Sequence, residues 1–264
     1  MVRSLEPDQA NAGFATTLAR GLAILECFAP DAPLLGNTAI ALRVGLSRPT
    51  VARLTSTLAE LGYLNYDRRA AKFRLGPRVL TLAHPLLASL RLRQVARPAM
   101  QEFAASLPGV VSVGVLDGTR LVYLESARTS EHEAHVPDIG SVLPLLPTAM
   151  GRALVSMLPA AEAATVRARL ADQDQAPWTA HHERFEAGVA ACHVRGFCTS
   201  PGEFMPDIHA AAAPLFRARG GDCLALNCSV AAFRLRPDEL DEVVGPRLLS
   251  LARVIRQSMD ERYP

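Results

Sequence analysis

Between Gly45 and Leu54 the chain reads GLSRPTVARL, and few decapeptides leave a backbone so little choice. Gly45 supplies a tight turn. Ser47 can cap a following helix through its side chain, and Pro49 fits the first helical turn, where no intrahelical N–H is needed. Val51, Leu54, Leu58 and Leu61 then recur at spacings of three and four, which predicts that this face of the helix points into a core. Upstream, Asn37 is predicted to cap a short helix over Thr38 to Arg43, with Ile40 and Val44 facing inward. Two helices joined through a glycine turn make a helix-turn-helix. An amphipathic helix over Phe14 to Phe28, carrying Leu18, Leu22, Leu25 and Phe28 and ending at Pro30, precedes them.

With Val51 and Leu54 turned inward, Ser47, Arg48, Thr50, Arg53 and Thr57 are left at the start and on the outer face of the third helix. On an isolated helix such arginines are ordinary solvated charges. The residues beyond the helix favour another reading. Gly62 ends the helix, and YLNYDRRAAKFRLG reads as two short strands, Tyr63 to Tyr66 and Lys72 to Leu75, around a basic tip. Three helices and a basic hairpin form a winged helix-turn-helix. Such a domain places the start of its second motif helix in the major groove of DNA, where arginine bonds guanine and threonine touches base edges. Arg68, Arg69, Lys72 and Arg74 of the wing are then available to phosphates.

The charge distribution agrees. The chain of 264 residues has a net charge of only +2, but residues 1–78 carry 10 Lys+Arg against 6 Asp+Glu, and the rest 18 against 20. The basic surplus belongs to the part that would meet a polyanion.

The segments LARGLAILECF, VGLSRPTVARLTSTLAELGYL and KFRLGPRVLTLA resemble, in order, the winged-helix domain of IclR-type bacterial transcriptional regulators. The resemblance continues through LPLLPTAMGRAL, HVRGFCTSPGEF and HAAAAPLFRARGGDCLALNCSV, so it covers nearly the whole chain. It implies a multidomain α+β protein: a winged helix-turn-helix, a linker helix that helps pair two chains, and a GAF-like effector-binding domain with an antiparallel sheet. The boundaries read from the chain are a tail over 1–13, the DNA-binding domain over 14–76, the linker over 77–93 and an effector-binding and oligomerisation domain over 94–264.

In the C-terminal part the sequence predicts a helix from Pro98 to Leu107, a hairpin of Val110 to Leu116 and Leu121 to Glu125, and helices over Met150 to Met157, Ala160 to Leu170 and Thr179 to Arg195. Strands near Ala210 to Leu215 and Cys223 to Val230 and a helix from Pro237 to Arg262 complete it. The linker helix, Pro77 to Leu92, contains Pro85 as a point of interruption. LPTAMGRA passes from loop into helix, where free N–H groups favour an anionic group such as a carboxylate. The resemblance implies that Ala149, Met150 and Gly151, a loop with Thr199 and Ser200, the strand residue Ala211, and the polar pair Asn227 and Ser229 surround a small organic acid, aromatic, branched or short. Asn227 and Ser229, two apart on a strand, share a face. MPDIHAAAAP departs from the family, which often has glycine before this strand, and leaves the polarity of that wall open.

No G-x-S-x-G, H-E-x-x-H or phosphate-binding glycine loop occurs. An enzyme acting on a small acid, with an accessory nucleic-acid-binding domain, therefore lacks a nucleophile–base constellation. His181, His182 and Glu183, like His132 and His135 beside Glu131 and Glu133, lack the partner cluster a metal needs, and no cofactor is implied. The five cysteines form no CxxC and read as buried free thiols, with Cys192 packed at helical spacing from Phe185 and Val189. Redox sensing by these cysteines is a third reading, and no neighbouring residue marks a lowered thiol pKa. With no apolar run near the ~20 residues of a membrane span and no signal peptide, the expected location is the cytoplasm. The expected partners are double-stranded DNA at a palindromic operator, an organic acid and a second copy of the chain, as dimer or dimer of dimers.

Overall fold

Gly45 has φ 66°, a left-handed conformation that costs glycine little, and it turns helix α2 (Asn37–Val44) into helix α3 (Arg48–Glu60). This computed structural model describes residues 13–107, 109–128, 138–218 and 220–262. The chain divides into two compact units, Met1–Ser89 and Leu90–Pro264.

In the first unit, α1 (Thr16–Glu26), α2 and α3 pack over a hairpin of β1 (Leu64–Asp67) and β2 (Lys72–Leu75). Ile24, Ile40, Val51 and Leu64 are almost wholly buried, and Phe73 of β2 also bonds back to Leu35, which ties the hairpin to the loop before α2. Ser47 caps α3 as predicted, accepting from the Thr50 N–H at 3.4 Å. Such a cap contributes about 1 kcal/mol.

Three local expectations need correction. Asn37 is the first residue of α2 rather than its cap, and its side-chain oxygen lies 3.1 Å from the buried hydroxyl of Thr55, which donates to Val51 O at 2.9 Å. On α1 the inward face is Ala23, Ile24 and Cys27, while Phe14, Leu18 and Leu22 form an exposed stripe. The helix carries two apolar stripes, and only one can meet the core. Leu61, at the end of α3, is also exposed.

Helix α4 (Arg78–Ser89) runs through Pro85 without interruption and has no buried residue. In the second unit, α5 (Arg91–Ser106) likewise contains Pro98 and starts seven residues before it. Pro98 is exposed, so its missing N–H faces water, whereas Leu92, Ala96, Met100 and Phe103 bury the opposite face and hold the helix together.

A six-stranded antiparallel sheet forms the middle of the second unit, in the order β5 (Val142–Pro144), β4 (Arg120–Ala127), β3 (Val110–Asp117), β8 (Cys223–Ala231), β7 (Ile208–Arg217), β6 (Cys198–Met205). One face packs on α5 and on α9 (Gly245–Arg262), which comes after a π-helical turn over Leu240–Val244 and is therefore shorter than predicted. The other face packs on α6 (Ala149–Val155), α7 (Ala160–Gln173) and α8 (Gln175–Arg195). Strand β8, covered on both faces, is nearly all buried. The segment with Thr199 and Ser200 is the edge strand β6, not a loop, paired through Ser200 and Ala210. His132 and His135 lie outside the described residues, and so does the N-terminal tail up to residue 12.

Candidate nucleic-acid interface and ligand cavity

Arg48 and Arg53 are exposed on α3, and Arg68, Arg69, Lys72 and Arg74 are exposed on the wing. None of these six pairs with a carboxylate among the described residues. Two neighbouring arginines differ. Arg43 donates to Cys27 O at 2.7 Å, and Arg78 donates to Leu61 O at 2.9 Å while lying over the Tyr63 ring. The domain thus uses two guanidiniums to hold itself together and leaves six cations facing water. Ser47 and Thr50 meet each other at 2.8 Å between hydroxyls, so they set the start of α3 and also stand at its exposed end. Asp67 orders the wing tip by accepting from the N–H groups of Arg69 and Ala70, both at 2.9 Å.

The second unit has a small, partly open cavity of about 40 Å³ between the α6 face of the sheet and the β6–β7 hairpin. Ala149, Met150, Ser200, Asn227 and Ser229, all singled out from the sequence, line it. Gly151, Thr199 and Ala211 do not. Gly151 is pressed onto Leu145, where an added Cβ would sit 2.2 Å from a backbone oxygen. Thr199 turns its hydroxyl to Asp241 at 3.3 Å. Ala211 faces α5 and α9, and strand alternation brings Ala210 to the cavity instead. The same alternation sends His209 to the far face and gives the cavity Ile208, so this wall is apolar.

Sequence reasoning missed Tyr123, Leu143, Phe204 and Met205. Tyr123 had a weak signal, an aromatic in an alternating strand. Its side chain is buried, its hydroxyl has no hydrogen-bond partner among the described residues, and burial alone pushes the phenol pKa well up. Asn227 donates to Ser229 Oγ at 2.7 Å, and Ser200 donates to Pro147 O at 2.9 Å. Thr148 caps α6 by accepting from the Gly151 N–H at 3.2 Å.

Behind the cavity, Arg152 of α6 donates to Thr199 O at 2.7 Å and pairs with Glu203 of β6. Both side chains are almost wholly buried, and Arg152 Nε has no partner. Gly188 of α8 makes room for the arginine, since a Cβ there would lie 2.3 Å from its Cδ. Cys192 and Cys198 meet beside this pair. The Cys198 thiol donates to Ala149 O at 3.3 Å, and the contact between the two sulfurs lowers the pKa of Cys192, with Ser156, Arg152 and Arg195 adding to the effect, while that contact and burial raise Cys198. All five cysteines are buried thiols. Among the described residues no group of three His, Cys, Asp or Glu side chains could hold a metal, and no helix is long and apolar enough to cross a membrane.

A winged helix-turn-helix with outward cations, joined to a sheet domain with a partly polar cavity, defines a DNA-binding regulator of the effector-controlled kind. The family model of the IclR helix-turn-helix domain matches residues 17–68, and that of the bacterial transcriptional regulator IclR C-terminal domain matches residues 84–256. The chain belongs to the IclR family, and it is a DNA-binding transcriptional regulator, not an enzyme. It is 32% identical over 248 residues to the p-hydroxybenzoate hydroxylase transcriptional activator of Acinetobacter baylyi, covering 90% of both chains. An IclR family transcriptional regulator from Brucella abortus superposes with a TM-score of 0.88 at 32% identity, over 100% of this chain and 99% of that one. An IclR homologue from Microbacterium hydrocarbonoxydans, crystallised with 4-hydroxybenzoate, shares the fold at a TM-score of 0.71 and 22% identity, covering 93% of this chain and 99% of that one.

Proposed function

We propose that this regulator reads a palindromic operator as a homo-oligomer in the cytoplasm and that a small aromatic acid in the cavity sets its DNA affinity. Arg48 and Arg53, with Thr50 and Ser47 at the helix start, enter the major groove, and Arg68, Arg69 and Lys72 hold flanking phosphates. The six unpaired cations carry this reading. The cavity wall supports the ligand class, because apolar Leu143, Met150, Phe204 and Ile208 suit a ring while Tyr123, Asn227 and Ser229 supply hydrogen bonds at its edge. The relative named for p-hydroxybenzoate hydroxylase activation and the homologue holding 4-hydroxybenzoate are consistent with this class.

Exposed apolar faces support pairing. Leu80, Leu82 and Leu86 of α4 are exposed, as is the Phe14, Leu18 and Leu22 stripe of α1. One recognition helix reads only a few base pairs, so two must be held about 34–36 Å apart to read a palindrome. Dimer and dimer of dimers both satisfy that need. In sedimentation, the wild type is expected as an oligomer and Leu80→Asp with Leu86→Asp as a smaller species; a monomeric wild type defeats the pairing.

The effector is tested by titrating a labelled palindromic fragment from the upstream region with the full chain, with and without hydroxybenzoates. Coupling of about 1–3 kcal/mol would move the midpoint about 5- to 150-fold in either direction. Midpoints that stay within experimental error for all aromatic acids would refute the effector class and leave DNA binding standing.

A further inference from the structure

The cavity has two polar ends. Tyr123 sits on β4 opposite Gly114 of β3, and Asn227 and Ser229 sit on β8, where Asn227 pairs with Ser112 of β3. Two strand spacings of about 4.8 Å separate β4 from β8, roughly 10 Å. Between them Gly114 has no side chain, and Met150 fills the place: a Cβ on Gly114 would lie 2.3 Å from the methionine sulfur. The middle of the cavity is therefore a thioether floor that suits the face of a ring.

The hydrogen-bonding capacities of the two ends differ. Asn227 spends one amide hydrogen on Ser229 Oγ, so its second amide hydrogen and the Ser229 O–H remain as donors. Two donors on one strand suit the two oxygens of a carboxylate. Ser200 has committed its own O–H to Pro147 and can only accept. Tyr123 presents one phenol that can donate and accept. The ring is buried, which keeps the phenol protonated, while its hydroxyl makes no hydrogen bond among the described residues and opens into the cavity, free to meet a ligand.

We infer that Tyr123 is a specificity-determining residue that hydrogen-bonds a ring hydroxyl of the effector, opposite a carboxylate held by Asn227 and Ser229. This rests on the reading of the cavity as an aromatic-acid site. A para-hydroxylated benzoate places its two polar groups at opposite ends of the ring, as the two ends of the cavity require. An acid without the hydroxyl leaves the tyrosine unsatisfied, which is how a buried polar group discriminates.

The test is calorimetric titration of the full-length wild type, Tyr123→Phe and Ser229→Ala with benzoate and 4-hydroxybenzoate. The wild type is expected to prefer 4-hydroxybenzoate by about tenfold. Tyr123→Phe removes only an oxygen; it should weaken 4-hydroxybenzoate about tenfold, leave benzoate within about twofold and so erase the preference. Ser229→Ala should weaken both acids alike. If Tyr123→Phe weakens benzoate as strongly as 4-hydroxybenzoate, the tyrosine reads the carboxylate and the inference is wrong. Unchanged binding of 4-hydroxybenzoate by Tyr123→Phe also overturns it, with the aromatic-acid reading intact. A wild type that binds neither acid overturns both, and so separates the two failures.

Discussion

Replacing Arg48 and Arg53 together by alanine is expected to weaken binding to a palindromic upstream fragment by about 2–4 kcal/mol per half-site, on the order of 30- to 1000-fold. Neither guanidinium is engaged in an ion pair, and both project from a helix whose inner face, Val51 and Leu54, stays intact. The fold should therefore survive, and the melting temperature should hardly move. The two losses differ in kind: a base contact removed relaxes sequence preference, and a phosphate contact removed lowers the salt dependence of binding. Anisotropy titrations at two salt concentrations, on the fragment and on a scrambled duplex, separate them. Arg43→Ala is the informative control, because Arg43 already donates to Cys27 O and should affect stability before DNA binding. If the double variant binds as tightly and as selectively as the wild type, the outer face of α3 does not read bases.

The second large effect concerns the pair behind the cavity. Glu203→Gln should destabilise the effector-binding unit by about 3–5 kcal/mol, because it leaves the Arg152 guanidinium buried without its counter-charge. Arg152 Nε is already unpartnered, so the guanidinium is under-satisfied even before its counter-charge is lost. The only tryptophan of the chain, Trp178, lies on α8 within this unit and gives urea unfolding a local reporter. Arg152→Met combined with Glu203→Leu should lie closer to the wild type than the single variant, since removing both charges also removes the desolvation cost. A loss below about 1 kcal/mol for Glu203→Gln would mean that water reaches the pair. Because Arg152 lies on α6 two residues beyond the cavity residue Met150, and Glu203 precedes the cavity residues Phe204 and Met205, the pair joins two walls of the cavity. Its loss should therefore also loosen ligand binding.

Much of the DNA-binding unit was legible in the chain because its determinants are local. Gly45, Ser47 and Pro49 act within a turn of where they stand, and the hairpin after Gly62 is closed by its own tip. The effector domain was harder. The structure places Leu124 as an extra residue in β4, where the register shifts between Val113 and Gly114, so Tyr123 faces the cavity while Leu124 and Glu125 turn to the α5 side. A bulge of this kind reverses the alternation beyond it and leaves no mark in a hydrophobic pattern. The resemblance pointed to Ala211, and the fold brings its neighbour Ala210 to the cavity instead; a run of four alanines carries no alternation that would have told the two apart.

Sequence alone, then, determined the winged helix-turn-helix and the outward arginines, because capping, turns and helical spacing act over a few residues and need no partner. Only tertiary structure decided which of two apolar stripes on α1 meets the core, which face of β7 sees the cavity, and that Arg152 and Glu203, 51 positions apart, neutralise one another. Those outcomes depend on what packs against each surface, and burial is a property of the assembled layers rather than of any segment within them.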